Sequence, residues 1–168
     1  MILIGLGANL TSHQYGPPRA TLEAALDAIG AAGIEVMAVS RWYESAPVPA
    51  SDQPHYVNIV AALETKLDAS ALLTSLHEIE SAFGRTRAAR NAARVIDIDL
   101  LDYNGEVSSE WPRLPHPAME ERAFVLVPLL DIAPGWRHPV TDVMISDLVA
   151  RVSDHASVYL LNDVCDEE

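Results

Sequence analysis

The chain has 168 residues and a formal charge of −13, from 24 acidic against 11 basic side chains. That length fits one domain with a proper core, and 49% hydrophobic with 21% charged residues is the balance of a soluble globular protein. The acidity argues against a general nucleic-acid binder, a single cysteine excludes an intramolecular disulfide framework, and no stretch is apolar enough to span a membrane.

Ile2-Leu3-Ile4-Gly5-Leu6-Gly7 reads as a short buried strand, with Gly7 and Asn9 suited to a tight exit turn. The apolar stretch from Met1 to Leu6 is too short for a signal peptide, so a cytoplasmic location is expected. No Gly-Lys-Ser/Thr follows it, which removes a phosphate-loop reading. Pro17 and Pro18 fit a helix start, Leu22, Ala25, Leu26 and Ile29 repeat at helical spacing, and Gly30 and Gly33 end the element. Ile34 to Tyr43 alternates as a second strand. A proline-rich loop from Glu44 to Pro54 follows, long enough to be a candidate for function.

Tyr56 to Glu64 is a strand with one ordinary apolar face and, on the other, Tyr56 and Asn58. Asn58 faces solvent, meets a partner in a neighbouring loop, or reads the edge of a heterocycle while Tyr56 stacks on it. Ser70 is the expected N-cap of a helix running to about Phe83, with Leu72, Leu73, Leu76, Ile79 and Phe83 buried and Glu80 at the margin. Beyond the next strand, Tyr103-Asn104-Gly105-Glu106 is a hairpin signal. Leu114 to Pro117 reads as extended, Met119 to Phe124 as a helical turn, and Ile145 to Val152 as a last helix. One domain over residues 1–162 and an acidic tail at 163–168 are expected. Two helices interleaved with four main strands predict an α+β, ferredoxin-like βαββαβ sandwich, helices packed on an antiparallel sheet, with C-terminal additions.

The chemistry concentrates between Arg85 and Leu101. Asp97 and Asp99 stand two apart within Val95, Ile96, Ile98, Leu100 and Leu101, so strand alternation points both acids to one face. Two carboxylates about 7 Å apart repel unless a cation intervenes. Four of the 11 cations, Arg85, Arg87, Arg90 and Arg94, precede them directly. Carboxylates for one or two Mg²⁺ ions and arginines for phosphate oxygens are the parts of a metal–polyphosphate site. A solvent-facing edge strand with two surface acids is the plainer alternative.

Arg90-Asn91-Ala92-Ala93-Arg94-Val95-Ile96-Asp97-Ile98-Asp99-Leu100-Leu101 resembles the signature of the 6-hydroxymethyl-7,8-dihydropterin pyrophosphokinase family of folate biosynthesis. Gly7 to Leu10, Asp52-Gln53-Pro54 with Tyr56 and Asn58, Glu80 with Gly84 and Arg85, and Pro115-His116 with Met119, Arg122 and Phe124 are similar to its further motifs. The resemblance implies transfer of diphosphate from ATP to the hydroxymethyl group of the pterin. It implies Asp97 and Asp99 as ligands of two Mg²⁺ ions, with Arg85 and Arg94 assisting transfer. It implies Glu80, Arg85, Arg87, Arg94, His116 and Arg122 at ATP, and Tyr56 and Phe124 sandwiching the pterin. Asn58, Ser45 and Val48 are implied at the pterin ring. The loop from Arg87 to Arg94 is one residue shorter than in well-known members and lacks their tryptophan, while Ala8, Ala46 and Pro117 replace Ser, Pro and Tyr. Small-molecule substrates, no nucleic acid, no membrane and a monomer are expected.

Two other classes share the β/α order. A metabolite-binding regulatory module leaves the acids beside the arginines without a purpose. An RNA-recognition module disagrees with the net charge and lacks the aromatic strand motif.

Overall fold

Alternation decides where every strand of this protein faces. The computed structural model describes residues 1–84, 93–152 and 157–161. Its elements are β1 (Ile2–Ala8), α1 (Pro18–Ala31), β2 (Glu35–Val39), β3 (Tyr43–Ser45), β4 (Tyr56–Glu64), α2 (Ala69–Ala82), β5 (Asp97–Tyr103), a 3₁₀ turn (Met119–Glu121), α3 (Ala123–Ile132), α4 (Ile145–Arg151) and β6 (Val158–Leu160). The strands form one antiparallel sheet in the order β5-β1-β4-β3-β6, and β2 also pairs with β4. With α1 and α2 as crossovers, this is the expected α+β, ferredoxin-like frame.

On one face Ile4, Leu6, Ile59, Ala61, Ile98 and Leu100 pack against Leu22, Ala25 and Ile29 of α1 and Leu72, Leu76 and Ile79 of α2. These are the apolar positions of β1, β4 and β5 at period two and of the helices at helical period. The C-terminal additions cover part of the opposite face. There Leu3, Val60, Ala62 and Leu101 pack with Ala123, Leu126 and Leu129 of α3 and with Ile145 and Leu148 of α4. Buried Asp102 ties this layer to β5 by accepting from Trp136 Nε1 at 2.7 Å and from the Gly105 N–H at 2.9 Å.

Four local expectations change. The strand expected over Ile34 to Tyr43 is two strands, broken at Ser40. The Ser40 hydroxyl accepts the Val60 N–H at 3.0 Å, a bond the backbone would otherwise make, and donates to Arg41 O at 2.8 Å. Asp131 of α3 then takes the Arg41 N–H at 2.9 Å and its guanidinium at 2.6 Å, drawing the chain off the ladder. Asp68, rather than Ser70, caps α2, accepting from the Ala71 N–H at 2.8 Å; a carboxylate also suits the positive helix end. Gly30 lies inside α1, and Gly33, at φ +81°, ends the element. Asn104 and Gly105 turn with φ of 52° and 74° as the hairpin signal requires, but among the described residues no strand after the turn pairs with β5. Instead Ser108 and Leu114 form an isolated bridge, and the His116 N–H returns to Leu101 O at 2.8 Å. The arginine loop through residue 92 and the tail at 163–168 lie outside the described residues.

Candidate active site

The second face of the sheet is only partly covered, and its open end is a cleft. In register across the strands, Asp97 lies opposite Gly7, Gly7 opposite Asn58, and Asn58 opposite Tyr43. One pleat along, Asp99 lies opposite Gly5 and Gly5 opposite Val60. The two acids therefore share a face, as alternation predicted, and the two glycines leave bare backbone between them and β4. Above this floor is a cavity of about 490 Å³. Its walls come from Ser45, Val48 and Pro49 on one side, Arg94 on another, and Glu121, Arg122 and Phe124 at the entry to α3.

The charged groups are paired across the cleft. Arg94 Nη1 donates to Asp97 Oδ2 at 2.8 Å, and Arg122 Nη1 to Asp99 Oδ2 at 3.4 Å. The side chains of Asp97 and Asp99 remain 25% and 31% exposed, so both still reach the cavity. The Arg122 guanidinium also stands 5.7 Å from the Phe124 ring centroid, a cation–π distance that fixes the two relative to each other. His116 Nε2 lies 3.9 Å from Asp99 Oδ1. Its Nδ1 accepts the Ala118 N–H at 3.2 Å, which leaves the proton on Nε2, toward the carboxylate. Burial lowers the His116 pKa more than Asp99 raises it, with Arg122 lowering it further, so the ring is held toward its neutral form. Tyr56 is half-buried, and desolvation raises its phenol; Arg94 opposes the shift and Asp97 adds to it.

Asn58 is 4% exposed, and its Nδ2 donates to Ser45 Oγ at 2.8 Å, so its partner is a hydroxyl on β3 rather than solvent. The structure thus brings together Ser45, Val48, Tyr56, Asn58, Arg94, Asp97, Asp99, Arg122 and Phe124 around one cavity, with His116 at Asp99. Glu80 approaches β5 from the α2 side. It is 3% exposed on α2, is not among the residues lining this cavity, and accepts the Ile98 N–H at 2.6 Å. Arg85 and Arg87 lie outside the described residues. Gly5, Gly7, Pro49 and Glu121 escaped the sequence reading as site residues. The period-two spacing of Gly5 and Gly7 on a strand flanking two acids was the available signal.

The donor set suits a hard cation. Among the described residues no three His, Cys, Asp or Glu side chains gather as a closed cage. Two partly exposed carboxylates leave the remaining positions to water and phosphate oxygens, the coordination Mg²⁺ favours. The arginines beside them can neutralise what the carboxylates do not reach.

A ferredoxin-like sheet with an acid pair, flanking arginines and an aromatic pocket has the parts a phosphoryl-type transferase uses. The comparisons with known proteins are more specific. The profile of the 7,8-dihydro-6-hydroxymethylpterin-pyrophosphokinase family matches residues 3–134, and this chain belongs to that family. It is 38% identical over 159 residues to a 2-amino-4-hydroxy-6-hydroxymethyldihydropteridine pyrophosphokinase of Haemophilus influenzae, covering 94% of this chain and 96% of the relative. With the Pseudomonas aeruginosa protein of the same name it shares 43% over 141 residues, 82% of this chain and 83% of the other. The crystal structure of Plasmodium falciparum HPPK-DHPS with STZ-DHP matches with a TM-score of 0.68 at 15% identity, which concerns the fold alone. The match covers 89% of this chain and 42% of that longer one.

Proposed function

We propose that this chain transfers an intact diphosphate group from ATP to the hydroxymethyl oxygen of 6-hydroxymethyl-7,8-dihydropterin, the pyrophosphokinase step of folate biosynthesis. The observation that carries this reading is the cleft itself. Asp97 and Asp99, with Arg94 and Arg122, stand across two bare glycines from Tyr56 and Asn58, so a phosphate-holding end and a ring-holding end share one cavity.

In this reading Tyr56 and Phe124 hold the pterin plane, while Asn58, fixed by Ser45, reads its edge beside Val48. The hydroxymethyl oxygen attacks the β-phosphorus of ATP, its proton leaves to solvent, the bond to the α-phosphate oxygen breaks, and AMP departs. Asp97 and Asp99 would hold two Mg²⁺ ions, which supply charge neutralisation at the phosphate oxygens when bound. Arg94 and Arg122 would stabilise charge developing on the bridging oxygens, exchanging part of their carboxylate pairing for phosphate. Neutral His116, with its proton on Nε2, is suited to donate a hydrogen bond to a phosphate oxygen rather than to add charge. Holding both substrates in one cavity aligns the alcohol with the phosphorus, a positional contribution independent of the charges.

The same reading has the chain act as a cytoplasmic monomer of one domain over residues 1–162, with no nucleic-acid or membrane partner. Its support is a net charge of −13, an absence of membrane-crossing helices among the described residues, and a cleft built by one chain. Product analysis tests the reaction: ATP, Mg²⁺ and hydroxymethyl-dihydropterin should give AMP and the pterin diphosphate in equal amounts. ADP as the nucleotide product, or no pterin product, contradicts it.

A further inference from the structure

Asn9 stands where β1 leaves the sheet, and it is 2% exposed. Its position suggests a turn residue, yet its backbone is not left-handed; among the described non-glycine residues only Asn104 and Asp142 are. The side chain explains the residue better. The Arg94 N–H donates to Asn9 Oδ1 at 2.9 Å, while Asn9 Nδ2 donates to Gln53 Oε1 at 3.2 Å and to the Pro54 carbonyl at 3.1 Å. The backbone doubles the first link, since the Asn9 and Leu10 N–H groups both donate to Arg94 O, at 3.1 and 3.2 Å. The amide fits only one way round. Pro54 O can only accept and the Arg94 N–H can only donate, so a flipped amide would set like against like at both ends.

The two segments joined here lead to opposite ends of the cleft. Arg94 pairs with Asp97, three residues on. Gln53 and Pro54 lead directly into Tyr56 at the start of β4. We infer that Asn9 is a positioning residue that holds the Arg94 segment and the Gln53–Pro54 segment in one alignment, keeping the phosphate end of the cleft in register with the ring end. The inference rests on the pyrophosphokinase reading for what the two ends bind. Its physical content is that one buried amide makes separable contacts, an acceptor to the first segment and a donor pair to the second.

That separation supplies the test. Asn9→Asp keeps an acceptor for the Arg94 N–H but sets a carboxylate oxygen against Pro54 O. Gln53 can turn its own amide to donate in that variant, whereas the Pro54 carbonyl cannot. Asn9→Ala removes both arms. Steady-state kinetics with ATP, Mg²⁺ and hydroxymethyl-dihydropterin are measured beside exchange of the Arg94 amide proton by NMR. In Asn9→Asp the KM for the pterin should rise about tenfold with kcat within about threefold of wild type, and the Arg94 amide should stay protected. In Asn9→Ala the same rise in KM should be joined by a fall in kcat of about tenfold or more, and the Arg94 amide should exchange fast. Identical kinetic changes in the two variants, or none in either, would overturn the inference. The exchange arm does not depend on turnover: an Arg94 amide equally protected in Asn9→Ala also overturns it. A wild-type protein that forms no AMP counts instead against the pyrophosphokinase reading.

Discussion

The two faces of the sheet use the same strands for opposite ends. On the α1/α2 face the inward positions of β1, β4 and β5 are branched, aliphatic or alanine apart from Tyr103, and the buried core residues there are at most 9% exposed. On the other face one end of the sheet is built in the same way, with Leu3, Val60, Ala62 and Leu101 under α3 and α4. Toward the other end the strands change to Gly5, Gly7, Asn58, Asp97 and Asp99, which line the open cleft beside the start of α3. The first face holds the sheet together by burial. The second can then carry two like charges and bare backbone, features that would destabilise a sheet needing both faces for its core. The contrast teaches that stability and chemistry are assigned to alternate residues of one strand, not to different strands.

The strongest way to break this comparison is at the acids. Asp97→Ala should lower turnover by about 10²–10³-fold, the scale of losing a group that stabilises transition-state charge. Its unfolding free energy should stay within about 1 kcal/mol of wild type, because a partly exposed pair with Arg94 contributes little and mutual repulsion with Asp99 is relieved. Activity assays and denaturant titration check both halves. The converse change on the other face is Leu72→Ala, at a fully buried position of α2. It should cost about 2–5 kcal/mol of stability while the folded fraction keeps its turnover.

A smaller effect sharpens the division within the cleft. Tyr56→Ala or Phe124→Ala should weaken pterin binding by on the order of 1–3 kcal/mol and ATP binding much less, as calorimetric titration of each ligand will register. Equal losses for both ligands would make these rings part of the core instead. The smallest effect concerns His116. Its folded pKa lies below the unfolded value, so the unfolded chain binds more protons in the window between them. Its contribution to stability is therefore fully present above the usual histidine range and is lost as pH falls from about 6.5 toward the folded pKa. His116→Gln should flatten that part of the stability–pH curve, measured by denaturant unfolding across the window.

Much of this division is legible in the sequence. Period-two alternation placed Asp97 and Asp99 together and bounded β4 correctly from Tyr56 to Glu64, and helical spacing assigned the buried stripe of α2. What failed to show was whatever depends on a distant partner. The break between β2 and β3 needs Asp131, ninety residues from Arg41, to capture a backbone N–H. Glu80 sits at the margin of a helical stripe, and the Ile98 N–H that its buried carboxylate accepts comes from eighteen residues along the chain. Asn9 read as a turn residue because its three acceptors and donors lie far along the chain. Local pattern reports which face a residue takes, not which polar group will meet it there.

Ile98 and Asp99 are neighbours on β5 that face opposite sides, so they test the central claim within a single peptide unit. Thermal or denaturant stability and turnover are to be measured for Ile98→Ala and Asp99→Ala side by side. The two-face account predicts that Ile98→Ala loses about 2–5 kcal/mol of stability and retains the turnover of its folded fraction. It predicts that Asp99→Ala keeps its stability within about 1 kcal/mol and loses about 10²-fold or more in turnover. Two variants that lose stability and activity in the same proportion would contradict it.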